Sequence, residues 1–146
     1  MRRLMGVLSE DEPSLTPQPG IDRVADLVAQ AKDDGLDVDL VETGDRPEIS
    51  PGVDLAAYRV VQEALTNARK HAGPVAAAVR IAYEPAAIEV EVTNDAGAIG
   101  PDPSGGKQGL IGMRERVRLF GGSFEAGPWN GGFRVRARLP TTAGEQ

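Results

Sequence analysis

The stretch Tyr58-Arg-Val-Val-Gln-Glu-Ala-Leu-Thr-Asn-Ala-Arg-Lys-His-Ala72 decides how this chain is read. On a wheel of 3.6 residues per turn, Tyr58, Val61, Leu65, Ala68 and Ala72 fall on one stripe. Arg59, Glu63, Asn67 and Lys70 gather on the other side, with His71 at their edge. Ser50 and Pro51 resemble an N-cap followed by a first-turn proline, so one long helix is predicted from there to about Ala72. A charge cluster taken alone reads as a solvated helix face. An amide, a carboxylate, an ammonium and an imidazole on successive turns are instead suited to a metal-nucleotide. Asn67 can offer an oxygen to Mg²⁺, Lys70 and His71 can meet phosphate oxygens, and Glu63 can take a proton from an incoming nucleophile.

Upstream of this helix, Met1 to Leu8 has the pattern of a helix end. Ser9 to Gly20, with Pro13, Pro17 and Pro19, reads as a linker. Ile21 to Asp34 carries Val24, Leu27, Val28 and Ala31 at helical spacing and stops at Gly35. Leu36, Val38 and Leu40 alternate with acids as a strand does. Downstream, Val75 to Tyr83 and Ile88 to Val92 alternate as two adjacent antiparallel strands around Pro85. Asn94 to Gly109 is a Gly- and Pro-rich loop, and Leu110, Met113, Val117 and Phe120 mark a third helix ended by Gly121-Gly122. Ser123 to Ala126 and Phe133 to Leu139 close the chain as strands about an Asn130-Gly131 turn. The expected class is α+β: a two-layer α/β sandwich, with a mixed sheet of about five strands covered on one face by about three helices. The expected organisation is a helix end and linker over 1–20, one domain over 21–140 and a tail over 141–146.

Composition narrows the function. With 146 residues and 40% hydrophobic content the chain suits a single buried core. A net charge of -6 argues against broad nucleic-acid binding, which needs a cationic surface, although a nucleotide held by local cations and a divalent metal remains compatible. The absence of cysteine excludes disulfides, thiolate metal sites and a cysteine nucleophile, and fits a cytoplasmic location. No apolar run reaches about 20 residues, so no direct membrane contact by this segment is expected. Any anchor would belong to a parent protein.

Two glycine segments extend the case. Val92-Thr-Asn-Asp-Ala-Gly97 follows a strand, where an acid and a glycine let carboxylate and backbone approach a flat ring closely. A carboxylate there would accept from the exocyclic amine of adenine and reject the carbonyl of guanine. Asn94 and Asp95 both compete for that place. Gly105-Gly-Lys-Gln-Gly-Leu-Ile-Gly-Met113 opens a helix whose unpaired N–H groups suit a polyphosphate, with Lys107 an added cation. It is neither a Walker loop, for want of Gly-Lys-Ser/Thr, nor a Rossmann loop, for want of a βαβ unit.

Together these segments resemble the N, G1 and G2 boxes of histidine kinases, in the order and spacing of that family. The long helix takes the form seen in the NarL-type subfamily. The resemblance runs from Leu4 to Pro140. It implies the Bergerat ATP-binding fold shared by gyrase, heat-shock-90, histidine kinases and mismatch-repair ATPases, with ATP and Mg²⁺ as ligands. It further implies a separate histidine-bearing dimerisation domain as phosphoryl acceptor and a response regulator downstream. By this resemblance Glu63 is catalytic and Asn67 holds Mg²⁺. Nucleotide contacts fall on Asn67, Lys70, His71, Asn94, Asp95, Gly97, Lys107, Gly109, Leu110 and Gly112, and Ala98 to Gln108 acts as a lid. His71 is not the phosphoacceptor, because the family's acceptor lies on the hairpin. The sequence departs from the family's pattern where Asp95-Ala-Gly97 lacks a second glycine and where Phe133 replaces a common threonine. Two other functions fit the same fold: a non-catalytic ATP-sensing or docking module, and a serine kinase of the anti-sigma-factor type.

Overall fold

The computed structural model describes residues 18–72, 75–95 and 107–142, and for 71, 72, 107 and 108 the backbone alone. After a single 3-10 turn at Ile21–Arg23 come α1 (Val24–Asp33), β1 (Asp37–Thr43), α2 (Pro51–Ala72), β2 (Ala76–Tyr83) and β3 (Ala87–Asn94). The chain continues through α3 (Lys107–Leu119), β4 (Ser123–Trp129) and β5 (Gly132–Pro140). The expected helix end at Met1 to Leu8 and most of the linker lie outside the described residues.

The strands form one mixed sheet in the order β1-β2-β3-β5-β4. β1 and β2 are parallel, and the remaining neighbours are antiparallel. Parallel neighbours need a long crossover, and α2 supplies it. Alternation along the strands sends Val38, Val79, Ile81, Ile88, Val90, Val135, Ala137 and Leu139 to one face, where they are buried. Against them pack Val24 and Val28 of α1, Val53, Ala57, Val60, Val61, Ala64 and Leu65 of α2, and Met113 and Val117 of α3. The two-layer sandwich expected from the sequence is therefore the architecture observed.

Helix ends follow backbone chemistry. At the end of α1, Gly35 has φ 107°, its N–H donates to the Lys32 carbonyl at 3.0 Å, and Leu36 N–H donates to Ala31 at 3.0 Å. Gly121, φ 81°, repeats this double closure at the end of α3, with bonds from Gly121 to Arg118 and from Gly122 to Val117, both 3.0 Å. The Asn130-Gly131 turn has φ of 52° and 81°, the paired positive values that join two strands with the right twist. At the start of the domain, Asp54 in the first turn of α2 accepts the Ile21 N–H at 2.8 Å, which pins the incoming chain to α2. At the other end, buried Thr141 donates its N–H to Ala86 and accepts from Ser50 N–H at 2.8 Å, which ties the chain after β5 to the residue before α2.

The other sheet face is a lattice of alternating charge. Arg80 and Arg134 reach Glu91 at 3.1 and 3.6 Å, Arg136 reaches Glu89 at 2.7 Å, and Arg138 grips Glu84 with bonds of 2.7 and 2.6 Å. The Arg138 fork holds the Glu84 carboxyl below its usual pKa. Such cross-strand pairs stabilise modestly and keep the open face wet. Among the described residues no helix is long and apolar enough to cross a membrane.

Tyr83 closes the bottom of β2. Its hydroxyl donates to Glu42 at 2.9 Å, and Arg46 lies 5.6 Å from the ring centroid. Burial, helped by the Glu42 carboxylate, raises its pKa. A folded-state value above the unfolded one of about 10 means that the neutral phenol contributes stability below about pH 10, and that this contribution is lost as pH rises towards the folded value. Chemical unfolding of the Tyr83→Phe variant should therefore show a shallower fall of stability above about pH 10 than the unmodified chain.

Candidate functional site

The chain topology brings four element ends together. α2 leads into β2, whose Ala77 pairs with Asn94 at the end of β3, and the Asp95 N–H donates to the Ala76 carbonyl at 2.9 Å. On the other side of β3, Asn94 pairs with Phe133 at the start of β5. α3 runs antiparallel to α2. Its C-terminal Phe120 abuts Gly52 in the first turn of α2, and its first turn sits beside Glu63, whose Oε2 lies 2.6 Å from where a Cβ on Gly109 would be. The second half of α2, the start of α3, the end of β3 and the start of β5 thus border one region.

On α2, Glu63 and Asn67 are half-buried and Lys70 is exposed, so the polar side is graded from the sheet outwards. The buried stripe is broader than the sequence wheel suggests, because Val60 and Ala64 join Val61, Leu65 and Ala68. Arg59 Nη1 donates to Gln62 Oε1 at 2.8 Å.

α3 starts at Lys107, earlier than the expected Leu110, so Gly109 lies within its first turn. The first-turn N–H groups lack helical carbonyl partners, and no acidic residue of that turn competes for them. A Cβ on Gly112, one turn further, would meet open space, whereas Leu110 packs against the core. At the strand end Asn94 Nδ2 donates to the Asp95 carbonyl at 2.9 Å, a bond that uses one amide N–H and not the amide oxygen, and Asp95 is exposed. Gly97, lid residues 98–106 and the side chains of His71 and Lys107 lie outside the described residues, and the last two residues of the expected lid, Lys107 and Gln108, belong instead to the first turn of α3.

No cluster of three or more His, Cys, Asp or Glu that could hold a metal exists among the described residues. Mg²⁺ takes one or two protein oxygens and completes its shell with phosphate and water, and the half-buried Asn67 amide can offer one such oxygen. A hollow of about 320 Å³ lined by Ala86, Gly121, Gly122, Ser123 and Arg138 lies at the opposite end of β3. Its arginine is already held by Glu84, so it offers no free cation to an anionic ligand.

Residues 52–143, which contain all the elements bordering the site, match the family described as histidine kinase-, DNA gyrase B-, and HSP90-like ATPase. The chain belongs to this ATPase family. It is 34% identical over 132 residues to the sensor histidine kinase YxjM of Bacillus subtilis, covering 87% of this chain and 32% of that protein. It is 35% identical over 89 residues to the histidine-protein kinase/phosphatase DegS of Brevibacillus brevis, covering 60% and 23%. The chain thus spans a third or less of these relatives. Among solved structures, the Acinetobacter baumannii histidine kinase AdeS superposes with a TM-score of 0.65 at 10% identity, covering 84% of this chain and 66% of that one. The catalytic domain of histidine kinase ThkA gives 0.61 at 14% identity, covering 83% and 89%. These likenesses share the fold of the ATPase family.

One site feature was missed in sequence. Gly132 packs against the Asn94-Asp95 backbone, a relation that only the pairing of β3 with β5 reveals. The one available signal, a glycine doubled after the hairpin turn, reads equally well as turn chemistry.

Proposed function

We propose that this chain is the ATP-binding catalytic domain of a sensor histidine kinase, acting on a histidine carried by a separate dimerisation hairpin. The observation that carries this reading is the placement of the Glu63 carboxylate beside the first turn of α3. A proton acceptor and a set of anion-binding N–H groups then flank the same space. Asp95 accepts from the adenine amine, and its exposed carboxylate, which can only accept, supports it over Asn94. Lys70, His71, Lys107 and the amides around Gly109 and Leu110 take the phosphate oxygens, with Gly97 and Gly112 giving the ligand close backbone approach. Asn67 holds Mg²⁺, which supplies charge neutralisation across the phosphates. Glu63 draws the N–H proton of the incoming imidazole as its other nitrogen bonds to the γ-phosphorus, and the bond to the bridging oxygen breaks to leave ADP. Positioning does most of the work.

A cytoplasmic setting, with a response regulator taking the phosphoryl group from the hairpin, completes the proposal. The deciding experiment mixes the chain with its histidine-bearing hairpin and γ-labelled ATP. Label should appear on the hairpin and be released by acid, as a phosphoramidate is. Acid-stable label would mean a serine kinase, and tight ATP binding with no label would mean a sensing module.

A further inference from the structure

The strand end proposed to read the purine is shaped by a residue on another strand. Gly132 opens β5 and lies across from the end of β3, one residue beyond the Asn94–Phe133 pair. A Cβ built on Gly132 would overlap the Asn94 carbonyl oxygen and come within 2.9 Å of the Asn94 carbonyl carbon and 3.0 Å of that of Asp95. All three are backbone atoms, so no side chain can swing aside. The strand end would have to move. On its far side the same segment is tied to β2 by the Asp95 N–H bond to Ala76, and above by the Asn94 amide bond to the Asp95 carbonyl. Gly127, in the same hairpin, has nothing within 4 Å of its would-be Cβ.

We infer that Gly132 is a positioning residue for purine recognition: its missing side chain lets β5 close on β3 and sets the direction in which Asp95 presents its carboxylate. The inference rests on the proposed role of Asp95 in selecting adenine. A shift of the carboxylate by about an ångström weakens a directed bond to the adenine amine far more than it weakens phosphate contacts made on α2 and α3.

The test compares Gly132→Ala with Gly127→Ala by titration with ATP and GTP, with amide hydrogen exchange at Asp95 followed in parallel. Gly132→Ala should lower ATP affinity on the order of tenfold to a hundredfold, leave GTP affinity nearly unchanged and speed exchange at Asp95, while Gly127→Ala changes none of these. Equal losses for ATP and GTP, or no loss at all, would overturn the inference. Should Gly132→Ala not fold, exchange in the unmodified chain decides: ATP must slow Asp95 and Gly132 more than GTP does and leave Gly127 alone, and equal protection by both nucleotides sinks the idea. An unmodified chain that binds no ATP would instead overturn the function proposed above. Exchange at Asp95 would then still judge the geometry, faster in Gly132→Ala supporting it and equal rates refuting it.

Discussion

The Glu63→Gln variant is expected to bind ATP as the unmodified chain does and to lose phosphoryl transfer by a factor on the order of 10² to 10⁴. Glutamine keeps the size and the hydrogen-bonding oxygen of the glutamate, and the half-buried site beside Gly109 accepts it without a new clash. What disappears is the ability to take a proton. Replacing a carboxylate by an amide next to the first turn of α3 also removes negative charge from the space proposed for phosphate, so ATP affinity should hold or rise slightly. Titration calorimetry alongside labelled transfer separates the two effects. Transfer at the unmodified rate would remove Glu63 from the chemistry.

Asn67→Ala is expected to act on binding. Loss of one oxygen ligand to the metal should weaken ATP in the presence of Mg²⁺ by about 10- to 100-fold, while affinity for ATP in EDTA changes little. The two-condition design matters because Asn67 sits one turn from the buried Ala64 and beside the buried Ala68. A packing defect would depress both conditions alike. Equal affinity with and without the substitution in Mg²⁺ would show that the metal is held elsewhere.

The placement of Glu63 and Asn67 on one side of α2 was legible in the sequence because this helix carries its message in periodicity. Val61, Leu65 and Ala68 face the core and leave Glu63, Asn67 and Lys70 together, and no tertiary information is needed to see it. The strands were similarly legible from alternation. The start of α3 was not, because Lys107 and Gln108 follow a glycine pair and Gly109 lowers helix propensity, so local chemistry argues for loop where packing against α2 wins. The wider buried face of α2 was hidden for a related reason. Val60 and Ala64 are covered because α2 is wedged between the sheet and its neighbouring helices, so more than one stripe is enclosed. Sheet order is invisible to periodicity, and with it the meeting of Gly132 and Asn94.

The parallel pairing of β1 with β2 makes α2 an obligatory bridge as well as the bearer of Glu63 and Asn67. The chain passes from one strand to the other by way of those 22 residues, which lie over the sheet. Lineages that abandon catalysis are thus free to vary the outward residues of this helix but must keep its length and its apolar side. Lost activity would leave a recognisable fold behind.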